Sequence, residues 1–307
     1  MILRDSIPVG FIFSSMKRKL IGILLLGGYL SYADEHLTDW FGVEFPLMPL
    51  NVPVMLGTVI TLVLAFKMSQ SYDRWWEARK VWGAIVNDSR SLIREVSNLM
   101  AKDLDSEKAE VYKKETIRYL LGWIYLLVGE MRELGITDDV KKYFSEEDLA
   151  ELKTIDNNLS TAALFKIESL LQSAYRDGLV NDFQQVRIAE TINNLCDSMG
   201  KSERIKKTIF PVLYTKMIEY TIWVFAFLLP LAFRDPNKWL EFPIVSCISI
   251  VFFSIENLAL GLQDPFENRP TDIPISSIAR NIEIHGLKVL GEKDIPEPFP
   301  AQKFYMM

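Results

Sequence analysis

The chain has 307 residues, of which 49% are hydrophobic and 24% charged. That mixture fits neither a bundle made only of membrane spans nor an ordinary soluble enzyme, and it points to a chain divided between lipid and water. A net charge of −6, with no strongly basic face or tail, argues against a nucleic-acid partner.

The first apolar run is Leu20 to Ala33, preceded by Lys17, Arg18 and Lys19. Ser31-Tyr32-Ala33 would suit a signal-peptide cleavage site, but a membrane span over about 20–38 agrees better with the charges that follow. The second run is free of charge from Phe45 to Phe66. As a helix it would reach about 33 Å at ~1.5 Å per residue, close to the roughly 30 Å of a hydrocarbon core. Pro46, Pro49 and Pro53 predict an irregular or kinked outer end. This span is placed at about 46–67.

From about 68 to 207 the chain reads as a helical region facing water. Val81, Ile85, Ser89, Leu92, Val96 and Leu99 recur at three and four, as do Ile117, Leu120, Leu121, Ile124 and Val128. Asp103–Ser106 and Ser145–Asp148 predict helix breaks or caps, and Gly178 ends a helix before another starts near Asn181 or Asp182. Two further spans are expected at about 208–233 and 239–262, joined by a turn at Arg234–Lys238. Lys216 and Glu219, three apart in the third, can pair on one helix face. Beyond residue 264 six prolines, Pro265 to Pro300, predict an extended arm to the end of the chain rather than a core helix.

Charge orients the spans. The connection between the first two carries Asp34, Glu35, Asp39 and Glu44 and no Lys or Arg, while Lys17–Lys19, Lys67, Arg74, Arg79, Lys80, Lys201, Arg204, Lys206 and Lys207 lie on the other side. The positive-inside rule then makes both termini and the middle region cytoplasmic, in a multi-pass protein of the cell (inner) membrane.

Catalytic signatures are missing. There are two histidines, no His-Glu-x-x-His, no Cys-x-x-Cys and no Gly-x-Ser-x-Gly. Cys196 and Cys247, far apart, read as reduced structural thiols. Gly200-Lys201-Ser202 imitates the tail of a phosphate loop, but Leu195 stands where its first glycine belongs, and Gly200 reads as a helix C-terminal glycine. No enzyme, cofactor or metal site is expected.

Three motifs carry a resemblance. Ser71 to Gly83, SYDRWWEARKVWG, is similar to the signature of bacterial bestrophin homologues, and its Arg74-Trp75-Trp76 core to that of eukaryotic bestrophins. Asp264-Pro265-Phe266, then Asp272-Ile273-Pro274, resembles the family's Asn/Asp-Pro-Phe stretch, and Gly200 with Arg204 and Pro211 resembles the entry to the third span. The resemblance implies an all-α, four-span protein with a large cytosolic helical region, assembled as a homopentamer around a central pore. Its partners would be further copies of itself, the lipid bilayer and permeant monovalent ions. It implies passive ion conduction, chloride above all.

By the same match Asp73, Arg74, Trp75, Trp76, Asp264, Pro265 and Phe266 are structural. Trp75 and Trp76, adjacent on a helix, project about 100° apart and are expected to pack on separate neighbours, with Arg74, Glu77 and Arg79 pairing around them; an interfacial aromatic belt is the other reading. Thr58, Leu62 and Phe66, four apart, are the expected pore neck, although an i, i+4, i+8 face also suits lipid. Phe183 is the expected cytosolic constriction, with Val180 and Val186 as alternatives and a core position as the plain one. Arg269 and Pro270 interrupt the acids after Phe266, so no calcium clasp is expected. Eukaryotic members place aromatics at two successive neck positions; here Leu62 holds one of them, which leaves a cation-selective channel of the bacterial type open. A membrane-anchored scaffold or signalling protein is the alternative of another class.

Overall fold

The computed structural model of the chain describes residues 10, 16–41, 48–99, 106–232, 238–300 and 305, with the side chains of 30–41, 106 and 238–241 outside the description. Among the described residues the fold is all-helical, with no strand. The helices with described bounds are, in order, α1 (Lys17–Phe41), α2 (Asn51–Leu99), α3 (Ser106–Met131), α4 (Asp138–Lys141), α5 (Glu146–Ile155), α6 (Leu159–Arg176), α7 (Asp182–Lys207), α8 (Val212–Ala232), α9 (Lys238–Gln263) and α10 (Ile275–Leu290). The chain divides into two compact units.

The apolar unit takes Arg4–Arg74 and Ile209–Gln263. Its core is Met16, Ile23, Ile60, Leu64, Ile218, Ile222, Phe225, Leu229, Val245 and Phe253. Here α9 packs on both α1 and α8. Three described helices are long and apolar enough to cross a membrane: α2, α8 and the Phe242–Gln263 part of α9. Helix α1 covers the first expected span over 25 residues, with side chains described only as far as Tyr29. The second expected span starts later than its apolar run: residues 48–50 are outside the helix, which begins at Asn51. Pro53 fits there because the first helical turn needs no N–H from it. Pro46 lies outside the described residues. The third helix likewise starts at Val212, after Pro211. The expected turn at Arg234–Lys238 lies outside the described residues up to 237.

The charged unit takes Trp75–Thr208 and the chain from Asp264. It is built on α3, whose Ile117, Leu120, Leu121, Ile124 and Val128 are all buried, packed against α6 and α10. The α2 stripe Val81, Ile85, Ser89, Leu92 and Val96 is buried too. Ser145 forms a capping box with Asp148 at the start of α5. Gly178 (φ +74°) closes α6: its N–H donates to the Tyr175 carbonyl at 2.9 Å and the Leu179 N–H to that of Ala174 at 3.0 Å. Asn181 then caps α7. The break expected at Asp103–Ser106 falls mostly outside the described residues.

Two expectations are corrected. Gly200 does not end a helix, since α7 runs on to Lys207. Ser202 and Ile205 are buried beyond it, and their packing outweighs the propensity cost of one glycine. The chain after residue 264 is not an extended arm throughout, because it contains the 16-residue helix α10. Its prolines fall before Ile275 and after Leu290. Between them Ile275, Ala279, Ile282 and Gly286 recur at helical spacing and are buried in the core of the unit.

Candidate functional site

Helix α2 has 49 residues, about 74 Å at ~1.5 Å per residue. One continuous helix therefore carries both the apolar run and the Ser71–Gly83 motif. In the apolar stretch its inward face is Ile60, Leu64 and Lys67, all buried. Thr58, Leu62 and Phe66 lie on the other side; Leu62 and Phe66 are each 58% exposed. The Thr58 hydroxyl donates to the carbonyl of Val54 at 2.9 Å, and Thr61 to that of Gly57 at 2.8 Å. These hydroxyls are turned back on their own helix, so the outward face is less polar than its residue names suggest.

The two main sequence motifs meet in space. Trp75 donates its indole N–H to the carbonyl of Thr271 at 3.1 Å. Trp82, fully buried and two turns further on, packs against Phe266 with ring centroids 6.3 Å apart. The loop they grip holds itself: Ile273 N–H donates to Pro265 O at 3.3 Å, Asp272 N–H to Arg269 O at 3.0 Å, and Arg269 N–H to the Asp272 carboxylate at 3.0 Å. Pro265 and Phe266 are buried, and Asp264 is half-buried. Burial pushes the Asp272 carboxyl above its ordinary range, more than the Arg269 N–H pulls it down. Glu267 is engaged by Lys206 at 2.8 Å. The acids after Phe266 are thus committed to the loop and to α7. Among the described residues no three His, Cys, Asp or Glu side chains form a metal-sized group.

The tryptophan pair differs from expectation. Trp75 packs on the core of the charged unit and Trp76 is exposed, yet their rings lie nearly parallel, 6.4 Å apart with 23° between planes. Adjacent Cβ atoms diverge, but the long indoles swing back together. Glu77 pairs with Arg204 of α7. Asp73 is exposed and Arg74 half-buried.

Phe183, in the first turn of α7, is 88% exposed, and Val186 three residues on is exposed as well, whereas Val180 is buried in the core. The start of α7 is tied to α2 one turn after Phe183 by a residue that sequence reasoning missed. Glu95 of α2, almost wholly buried, accepts from the Arg187 guanidinium at 3.0 Å and from the Thr191 hydroxyl at 2.8 Å. Its only sequence signal is a lone acid between Ile93 and Val96 on a buried stripe. Glu256 was missed in the same way, as a single acid inside the apolar run of α9.

The family model described as Bacterial/Fungal Bestrophin protein matches residues 6–288. A voltage-dependent anion channel-forming protein of Nostoc sp. is 31% identical over 79% of this chain and 81% of its own. Another of that name, from Escherichia coli K12, is 28% identical over 95% and 94%. The crystal structure of a bacterial bestrophin homolog from Klebsiella pneumoniae superposes with a TM-score of 0.80 at 22% identity, over 91% of this chain and all of the other, which shows the fold. The two motifs joined through Trp75, Trp82, Thr271 and Phe266 therefore belong to a known architecture: the chain is a member of the bacterial/fungal bestrophin family.

Proposed function

We propose that the chain is the subunit of a homopentameric membrane channel that passes monovalent anions, chloride foremost, passively down their gradient. In this reading α1, α2, α8 and α9 are four spans, both termini are cytoplasmic, and the charged unit lies in the cytosol of a cell with this protein in its inner membrane. The protein is no enzyme and needs no cofactor. Thr58, Leu62 and Phe66 form stacked rings at the neck, and Phe183 a second ring below. The observation that carries the reading is the outward apolar stripe on α2, which the chain's own core leaves unpacked. Such a stripe repeated around an axis makes a constriction that gates by dewetting and needs no charged filter. The names of the Nostoc and E. coli relatives support the choice of anions. Leu62 favours the second reading, a cation-selective channel, because an aliphatic ring lacks the partial positive edge of an aromatic one.

The test is a reversal potential in a planar bilayer with a KCl gradient. Reversal near the chloride equilibrium potential is expected; reversal near that of potassium keeps the pore and replaces the ion. Leu62→Ala/Phe66→Ala is expected to raise conductance. Unchanged currents from the folded double variant would remove both residues from the neck.

A further inference from the structure

Helices α1, α2, α8 and α9 each contribute a charged side chain to one cluster centred on the buried Lys67 and Glu256. Lys19 of α1 pairs with Glu256 of α9 at 2.5 Å and lies 3.7 Å from Glu219 of α8. Lys216 and Glu219 of α8 pair at 2.8 Å, the i, i+3 pair legible in the sequence. Lys67 of α2 lies 3.8 Å from the other oxygen of Glu256. The side chains of Lys67 and Glu256 are both 0% exposed. Neither Lys67 Nζ nor Glu256 Oε1 has a hydrogen-bond partner among the described residues. Phe253 closes the set from one side, with its ring 5.1 Å from Lys19 Nζ.

Stability does not account for this arrangement. Two charges removed from water recover little more than their desolvation, and an apolar pair of the same size does as well. Position does account for it. Val52 to Phe66 is apolar on every side of α2, broken only by Thr58 and Thr61 with their back-bonded hydroxyls. Within this stretch hydrophobicity alone distinguishes one face from another only weakly, although the same helix is also held further along by the buried Trp82 and Glu95. Lys67 is the one charged residue between Asn51 and Tyr72. Turning it away from Glu256, which keeps Lys19, would leave Lys67 with an uncompensated buried charge. Phe66, the preceding residue, projects about 100° away from it.

We infer that Lys67 and Glu256 are positioning residues that lock the rotation of α2, and so decide that Thr58, Leu62 and Phe66, rather than the neighbouring face, form the neck. This rests on the channel reading. The lock acts only through the helix, since neither charge reaches the outward face.

Lys67→Met is the informative variant. It removes the tie from α2 while Glu256 keeps Lys19, so no carboxylate is stranded. The readout is labelling by a small charged methanethiosulfonate reagent, applied to Phe66→Cys and Val63→Cys in a Cys196→Ser/Cys247→Ser background. Conductance is recorded in the same background with Phe66 intact. With Lys67 present, position 66 is expected to label and position 63 to be protected. With Lys67→Met that preference is lost and the unitary conductance changes, while Lys67→Arg restores both. A Lys67→Met protein that keeps the labelling preference and the parent conductance overturns the lock. If Lys67→Met does not assemble, Glu256→Gln, which keeps size and polarity, is judged by the same two readouts. Failure of the channel reading is separate: a parent protein that conducts nothing and labels at neither position overturns that reading and the lock with it.

Discussion

Asp148 does two things at once. Its carboxylate accepts from the Ser145 N–H at 2.9 Å, closing the cap of α5, and from the Arg118 guanidinium of α3 at 3.0 Å. Arg118 also donates to the Tyr143 carbonyl at 2.6 Å, so the pair pins the loop before α5. Burial alone would push the Asp148 carboxyl up, but the hydrogen bonds from Arg118 and Ser145 outweigh it and hold it below its usual 3.8. The charged form is therefore the one the fold favours. Its contribution is present above the ordinary carboxylate value and is lost as pH falls through the lowered one. Asp148→Asn is expected to cost about 1–2 kcal/mol at neutral pH, allowing for the partial exposure of both partners. Melting temperatures of the detergent-solubilised protein should show it, with the gap to wild type narrowing as pH falls below the ordinary carboxylate range. A gap that stays constant with pH would mean that the charge is not what matters. The Ser145 to Asp148 cap is local and legible in the sequence. Its coupling to Arg118 is not, because 30 residues separate the two.

At the level of elements, close approach decides what periodicity leaves open. The stripe of α3 told which face is buried, but not what covers it. Phe144, in the turn after α4, is packed so tightly over Gly122 that a Cβ added there would sit 2.3 Å from its ring. Both faces are rigid: Phe144 is buried and packs on Tyr119 at 5.3 Å between centroids. Gly122→Ala is expected to destabilise the charged unit by about 1–3 kcal/mol, the cost of overpacking a filled core. Gly122→Ala/Phe144→Leu should recover part of that loss in the same melting measurement. If the single variant melts with wild type, the contact is looser than its geometry. Helix α10 shows the opposite failure of sequence reasoning. Six prolines suggested an arm, yet they bracket a proline-free segment whose apolar period is helical. Composition over a long window concealed a pattern present in a short one. The meeting of Trp75 and Trp82 with Thr271 and Phe266 could not be read from either segment alone. Trp75 and Thr271 are 196 residues apart in the chain.

For the whole molecule the question is which exposed apolar residues lipid can cover. Val54, Met55, Val59, Leu62 and Phe66 belong to the apolar unit, and a bilayer could cover them in a lone chain. Phe183 and Val186 belong to the charged unit, which the proposed topology puts outside the bilayer. A large aromatic at 88% exposure beside an exposed valine, on a helix otherwise fixed by Glu95, is costly in water. In the proposed ring, equivalent faces of neighbouring copies would meet around one axis and could cover such residues. The stripes themselves were legible in the sequence at their spacing of three and four. Their direction relative to other copies was not, since hydrophobic period distinguishes lipid, core and neighbour only by what lies opposite. The expected result is a particle of five times the 35.3 kDa chain mass, measured by native mass spectrometry from detergent. Phe183→Asp should leave that assembly intact if the ring of Phe183 surrounds open solution, and should disrupt it if the residue is packed between copies. A monomer or dimer at concentrations where the protein is folded would leave Phe183 needing another partner. The channel reading would then give way to a membrane-anchored scaffold whose binding face is the start of α7.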